Sequence, residues 1–222
     1  MPLAVDFRLY LITDRRLASG ENLLSAVEHA LAGGVRAVQL REKDLGSREL
    51  LELARKMRAL TSTYGAKLLI NDRVDIALAA DADGVHLGRE SISIRDARRL
   101  MGPDRLVGCS THTAKQLAEA EADGADFAVF GPVYFTPSKA AFGPPLGVDT
   151  LKRARAWTRI PVFALGGVGA ENIHEVIAAG ADGVALISAV LSAKDPRQAA
   201  SDINLLIENA LLRHTQGQEE WS

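Results

Sequence analysis

The 222 residues carry 26 Lys and Arg against 28 Asp and Glu, and the formal net charge of −2 gives no electrostatic reason to expect nucleic acid or an anionic membrane surface as partner. No apolar run approaches the roughly 20 residues that span a bilayer, and the first residues lack a basic stretch followed by a hydrophobic one. A single cysteine, Cys109, excludes an internal disulfide and a Cys-rich zinc site, so the bounds predict a soluble, cytoplasmic protein of one domain, with a homo-oligomer left open.

The first predicted strand is Leu9 to Thr13, a short apolar, β-favouring run closed by Asp14. Asn22 is placed to cap a helix over Leu23 to Ala32, which Gly33-Gly34 stops. A strand over Ala37 to Arg41 is followed by a helix over Ser47 to Tyr64, with Ser47 as its cap and Leu50, Leu51, Leu53, Ala54, Met57 and Leu60 as its apolar stripe. Strand Lys67 to Ile70 leads to a short helix Asp75 to Ala80, and strand Val85 to Leu87 to helix Ile94 to Met101. Strand Leu106 to Cys109 precedes helix Ala114 to Ala122, with Cys109 read as a small buried core residue. Strand Phe127 to Phe130 opens a long Pro- and Gly-rich connection, Gly131 to Gly147, of the kind that forms a lid, before helix Thr150 to Trp157. Strand Val162 to Leu165 with helix Glu171 to Ala179, and strand Val184 to Ile187 with helix Pro196 to Leu212, complete the chain; residues from about 214 to 222 are expected to fray.

Eight strand–helix units in strict alternation imply right-handed crossovers and a parallel sheet. The predicted fold is an α/β (β/α)8 TIM barrel forming a single domain over residues 1–222; an open doubly wound sheet is the alternative. The helix-to-strand turns carry a weak repeat, seen in Asp81-Ala82-Asp83-Gly84-Val85, Asp123-Gly124-Ala125-Asp126-Phe127 and Gly180-Ala181-Asp182-Gly183-Val184. These lie at the opposite end from a barrel's active site and read as scaffold.

Polar residues collect where the strands end, which is how a parallel α/β protein builds its site. Gln39 and Arg41 share one face of the second strand by its period-two alternation, Glu42 points the other way, and Lys43 begins the loop. Taken alone, such charges read as a solvated turn; the recurrence at Asn71-Asp72, His86, Ser110, Thr136 to Lys139, Gly166-Gly167 and Ser188 favours a site. Gly166-Gly167 and Ser188, after the seventh and eighth strands, suit a phosphate held by backbone N–H groups, although Gly-Gly also simply makes a turn. Arg41, Lys43, Ser110 and Lys139 form a second cationic set suited to a highly charged group such as pyrophosphate. Asp72 supplies a carboxylate able to hold Mg²⁺, or else an outward ion pair near Arg73. His112 borders the site and divides evenly between a structural and a catalytic role, while His86 reads as a packed, hydrogen-bonded barrel residue and His29, His174 and His214 as helix residues.

The motifs Gln39-Leu40-Arg41-Glu42-Lys43, Ile70-Asn71-Asp72-Arg73, Asp83 to Gly88, Gly108 to His112, Gly131-Pro132 through Lys139, and Gly166-Gly167 with Ser188 together resemble the thiamine phosphate synthase/thiazole tautomerase superfamily. The resemblance runs from Tyr10 to the last helix and implies the (β/α)8 fold. It further implies a transferase that joins hydroxymethylpyrimidine pyrophosphate to a thiazole phosphate, giving thiamine phosphate and pyrophosphate. In that role Gln39 and Asn71 would contact the aminopyrimidine. Arg41, Lys43, Ser110 and Lys139 would hold its pyrophosphate, Asp72 would ligate Mg²⁺, and Thr136, Ser138, Gly167 and Ser188 would receive the thiazole phosphate.

The departure lies after the fourth strand. Synthases read His-x-Gly-Gln followed by an acidic residue and Asp there, the last a second Mg²⁺ ligand, where this chain has Gly88-Arg89-Glu90-Ser91. Serine is a poor Mg²⁺ ligand, which leaves Glu90 as the substitute. That change resembles the tautomerase branch, a metal-independent isomerase in which the histidine matching His112 is the acid–base group. The complete Arg41, Lys43, Ser110 and Lys139 set with Asp72 favours the synthase. A non-catalytic, phosphate-binding or regulatory barrel is the third reading.

Overall fold

The computed structural model describes residues 5–18, 22–137 and 143–219. Eight parallel strands pair each with the next, and β8 pairs back to β1, closing the barrel. The strands are β1 (Leu9–Ile12), β2 (Ala37–Leu40), β3 (Lys67–Asn71), β4 (Gly84–Leu87), β5 (Leu106–Thr111), β6 (Phe127–Phe130), β7 (Val162–Leu165) and β8 (Gly183–Leu186). The helices are α1 (Leu23–Ala32), α2 (Ser47–Thr63), α3 (Val74–Ala79), α4 (Ile94–Met101), α5 (Ala114–Ala122), α6 (Val148–Arg155), α7 (Ile173–Ala178), α8 (Ser188–Leu191) and α9 (Pro196–Glu219). Among the described residues no helix is long and apolar enough to cross a membrane.

Closure of the barrel decides against the open doubly wound sheet. Some boundaries move for local reasons. Asn22 does cap α1, accepting the Ser25 N–H at 3.0 Å. The cap of α2 is Gly46 rather than Ser47, with Glu49 reaching back to the Gly46 N–H. Ser47 instead accepts from Arg73. β5 continues through Ser110 and Thr111, because its register with β6 extends to Thr111↔Phe130. Ser110 is therefore a strand residue, paired with Val129 of β6, not a loop residue. A short helix, α8, starts at Ser188, and α9 runs past Leu212 to Glu219, through the stretch expected to fray.

Two apolar layers hold the barrel. The larger lies between the strands and the surrounding helices, with Leu11, Val38, Leu68, Val85, Val107, Ala128, Ala164 and Val184 facing outward into it. The other fills the barrel with Phe7, Tyr10, Leu69, Leu106, Phe127 and Phe163. Phe127 meets Phe7, Tyr10 and Phe163 edge to face at 5.4 to 5.6 Å between ring centres, a geometry favoured by the ring quadrupoles. Gly108 makes room for this packing: a Cβ there would lie 2.3 Å from the Phe127 ring.

The repeated turns have a defined mechanical role at the amino end of the barrel. Asp83 Oδ2 accepts the Leu68 N–H at 2.8 Å and the Arg58 guanidinium at 2.6 Å. Asp126 does the same for the Val107 N–H, at 2.7 Å, and for Arg98; Asp182 does it for the Val162 N–H and Arg155. Each aspartate thus joins an N–H at the start of one strand to an arginine from the helix layer. Asp126→Ala leaves the Val107 N–H without its acceptor and takes the counter-charge from the half-buried Arg98, which keeps its backbone carbonyl partners, and is expected to destabilise the barrel by about 2–3 kcal/mol. The urea midpoint should fall while turnover of the folded fraction stays unchanged; an unmoved midpoint would contradict the pairing.

Candidate active site

The carboxyl ends of the strands gather most of the residues expected at the site, and each is held by a different local device. At the end of β2, Leu40 is buried and Arg41 is half-buried at the mouth. Its backbone N–H donates to Thr13 Oγ1 at 2.9 Å, and Thr13 in turn donates to Glu42 Oε1 at 2.6 Å. Glu42 also accepts the Arg15 N–H and guanidinium. A buried carboxylate needs this many donors. Glu42, which reads in sequence as one of three solvent-facing charges, is therefore the clamp that binds β1 to β2 and fixes where Arg41 emerges. Lys43, one residue on, is exposed.

Gln39 lies beneath Arg41 inside the barrel and is 1% exposed. Its Nε2 donates to the Tyr10 hydroxyl at 3.2 Å. Tyr10 lies 3.5 Å from His86 Nδ1, and His86 Nε2 lies 3.0 Å from Ser110 Oγ. Four strands thus contribute to one polar chain crossing an otherwise aromatic interior. Burial, and second the Arg41 charge, push the His86 imidazole down to about 3, so it is neutral across the physiological range. Burial raises the Tyr10 phenol well above its ordinary value, so it keeps its proton. The reading of His86 as a packed, hydrogen-bonded barrel residue holds. Tyr10 was not foreseen as polar machinery, because a tyrosine in an apolar strand looks like core until its cross-barrel partners are known.

At the end of β3, Asp72 adopts φ 66° and is exposed. Aspartate tolerates this left-handed region better than most residues, and the Asp72 N–H is tied to His86 O at 2.8 Å. Arg73, its sequence neighbour, turns instead to Asp75 and Ser47. Arg73 thus forms its ion pair with Asp75 rather than with Asp72. After β4, Ser91 Oγ accepts the Gly88 N–H at 2.8 Å and so serves as a turn-former. Glu90 is 94% exposed beside Arg89. Among the described residues no group of three or more His, Cys, Asp or Glu side chains stands ready for a metal. The donor set does not suit a cation caged by protein alone. It suits one that takes a single carboxylate from Asp72 and its remaining oxygens from an anionic ligand and water.

His112, just past β5, is exposed, and its Nδ1 meets the Gly131 carbonyl oxygen. A carbonyl accepts only, so Nδ1 carries a proton, and Nε2 is the ring nitrogen left for a further partner. Cys109 is buried. Burial pushes its thiol up to about 12, which makes it an inert core residue.

The ends of β7 and β8 meet the long connection after β6. Gly166 and Gly167 have φ 95° and 63°, and a Cβ on Gly167 would lie 2.6 Å from Phe135 O and 2.7 Å from Tyr134 Cβ. The two glycines are thus required by the turn and by the close approach of the 134–135 backbone, as well as by any anion. Gly167 and Ser188 are exposed at the mouth, and among the described residues no hydrogen bond leaves the Gly167 or Val168 N–H. Gly167→Ala is expected to push Tyr134 and Phe135 aside and raise KM for a phosphate-bearing substrate about tenfold. An unchanged KM in a folded variant would remove the phosphate assignment. Thr136 is half-buried on this connection; Ser138 and Lys139 lie outside the described residues.

A family model, two curated relatives and one solved structure at 38% identity or more carry the same class of name. The family model described as thiamine monophosphate synthase matches residues 9–190. A putative thiamine-phosphate synthase of Geobacter sulfurreducens is 61% identical over 203 residues, covering 91% of this chain and 95% of the relative. The thiamine-phosphate synthase of Moorella thermoacetica is 45% identical, covering 91% and 96%. The solved thiamine phosphate pyrophosphorylase of Pyrococcus furiosus superposes with a TM-score of 0.85 at 38% identity, over 92% of this chain and 97% of that one.

Proposed function

The chain belongs to the thiamine monophosphate synthase family and is a transferase of that class, and from this premise we propose how its barrel mouth couples a pyrimidine pyrophosphate to a thiazole phosphate. The observation that carries the reading is the cluster at the ends of β2, β3 and β5. Half-buried Arg41, exposed Lys43, exposed Asp72 and half-buried Ser110 fall at these strand ends, and the Arg41 charge reaches the neutral His86 ring that is bonded to Ser110.

In this reading the pyrimidine enters over Gln39 and Asn71, with its pyrophosphate toward Arg41, Lys43, Ser110 and Lys139. Breaking the C–O bond leaves a pyrimidine-stabilised carbocation and a trianionic leaving group. Fixed cationic and hydroxyl donors stabilise the charge that develops on that group, and they need no reorganisation when the bond breaks. Mg²⁺, when bound, would add charge neutralisation on the pyrophosphate, with Asp72 as its family-matched protein ligand and Glu90 as the nearest substitute for the aspartate that Ser91 replaces. The thiazole, held through its phosphate by Thr136, Ser138, the Gly167 N–H and Ser188, presents its nitrogen to the carbon. A floor of buried Tyr10 and Phe127 keeps water from below the cation.

The test is a set of incubations of the purified protein with the pyrimidine pyrophosphate and each thiazole phosphate isomer, separately and together, with and without Mg²⁺. Thiamine phosphate and pyrophosphate should form in equal amounts only when both substrates and the metal are present. Turnover of a thiazole phosphate alone, unaffected by chelator, would replace this reading with an isomerase.

A further inference from the structure

The mechanism above uses Ser110 but leaves idle the two polar rings behind it. Tyr10 is fully buried and His86 is 2% exposed, and both stand inside a barrel otherwise filled by Phe7, Phe127 and Phe163. Burying two polar groups in such a layer is costly unless each proton and lone pair is matched.

Matching them gives a direction. The Gln39 amide nitrogen only donates, so the Tyr10 oxygen is its acceptor. The one Tyr10 proton must then find an acceptor in the buried layer, and His86 Nδ1, 3.5 Å away, is the acceptor the geometry offers. Nδ1 is therefore unprotonated, and the neutral ring carries its hydrogen on Nε2, which donates to Ser110 Oγ at 3.0 Å. The opposite tautomer would direct two donors at the Tyr10 oxygen and leave the Tyr10 proton buried without a partner. With its oxygen already accepting from His86, the half-buried Ser110 has its own proton turned toward the mouth.

We propose that Tyr10 and His86 are positioning residues that hold the Ser110 hydroxyl as a hydrogen-bond donor toward an anionic oxygen of the ligand. The identity of that oxygen, on the leaving pyrophosphate, rests on the function proposed above; the direction of the chain does not. A serine free to rotate spends part of its time with the hydroxyl hydrogen turned elsewhere, and would present a lone pair to an incoming anion in those rotamers. Fixing it from behind removes that repulsion before the substrate arrives, which is preorganisation of the kind that lowers a barrier. The arrangement also explains why a histidine sits where only a neutral ring is tolerated: His86 is needed for its two unlike nitrogens, one accepting and one donating.

Two measurements on the full chain test this. Long-range proton–nitrogen NMR correlations of ¹⁵N-labelled protein report which imidazole nitrogen is protonated. His86 is expected to show protonated Nε2 and bare Nδ1 throughout neutral pH, and a protonated Nδ1 or a tautomer mixture would overturn the proposal. The second is a double-mutant cycle on kcat/KM. Ser110→Ala is expected to cost about 100-fold and the near-isosteric Tyr10→Phe about tenfold. If Tyr10 acts only through Ser110, the double variant should be no worse than Ser110→Ala; a loss of about 1000-fold, the product of the two, would overturn it. A wild-type protein without synthase turnover would instead sink the functional reading, and the NMR result would still decide the direction of the chain.

Discussion

Asp72→Asn is expected to lower turnover by about 100-fold or more while leaving the barrel intact. The side chain is exposed at the end of β3, its neighbour Arg73 is engaged by Asp75 and Ser47, and the fold holds this residue through its backbone N–H to His86 O. Replacing the carboxylate by an amide therefore removes charge from the mouth and disturbs little packing. The size of the loss follows from what is missing elsewhere. Ser91 forms a turn and Glu90 is solvated beside Arg89, so Asp72 has no second aspartate to share its load. One hard anionic oxygen is a large part of what a Mg²⁺ ion takes from protein when a pyrophosphate supplies the rest. The readout is kcat against Mg²⁺ concentration, with far-UV circular dichroism as the control for folding. Full turnover in the variant would remove Asp72 from the site.

Arg41→Gln is expected to cost about 100- to 1000-fold in kcat/KM for the pyrimidine pyrophosphate, with most of the loss in kcat. Arg41 is half-buried where its charge reaches the His86 ring, and its backbone is pinned by Thr13, itself held by the buried Glu42. A guanidinium fixed in that way needs no reorganisation as charge develops on a departing group, and its fork suits paired phosphate oxygens. Lys43, exposed and unclamped, should matter less when truncated. Equal, small effects of the two substitutions would contradict the placement of the leaving group over β2.

The alternation of strands and helices was legible because each strand is short, apolar and followed by a helix of clear period. The strand-end positions of the proposed site residues were legible too, since Asn71, Asp72, His112 and Gly167 fall at strand ends in sequence as in space. Three features were not. Ser110 looked like a loop residue because its strand ends in polar Ser110-Thr111, where only the pairing with Val129 and Phe130 on β6 extends the ladder. Glu42 looked like a solvated charge because its three donors, the Thr13 hydroxyl and the Arg15 N–H and guanidinium, lie far away in sequence. The chain from Gln39 through Tyr10 and His86 to Ser110 draws on β1, β2, β4 and β5, and no local pattern joins residues so widely separated. The glycines at 166 and 167 were legible as a special turn, but not their contact with Tyr134 and Phe135, which depends on how the long connection folds back.

His112 supplies the sharpest contrast. Its Nδ1 is committed to the Gly131 carbonyl and its Nε2 is left for a further partner, a geometry that acid–base chemistry would also use. The most direct measurement is therefore the turnover of Asp72→Asn and His112→Ala side by side, on the coupling of both substrates and on the thiazole phosphate alone. A synthase that works by charge stabilisation of departing pyrophosphate predicts a severe loss of Mg²⁺-dependent coupling in Asp72→Asn and a milder one in His112→Ala. Chelator-resistant conversion of the thiazole phosphate alone, abolished in His112→Ala and intact in Asp72→Asn, would contradict it.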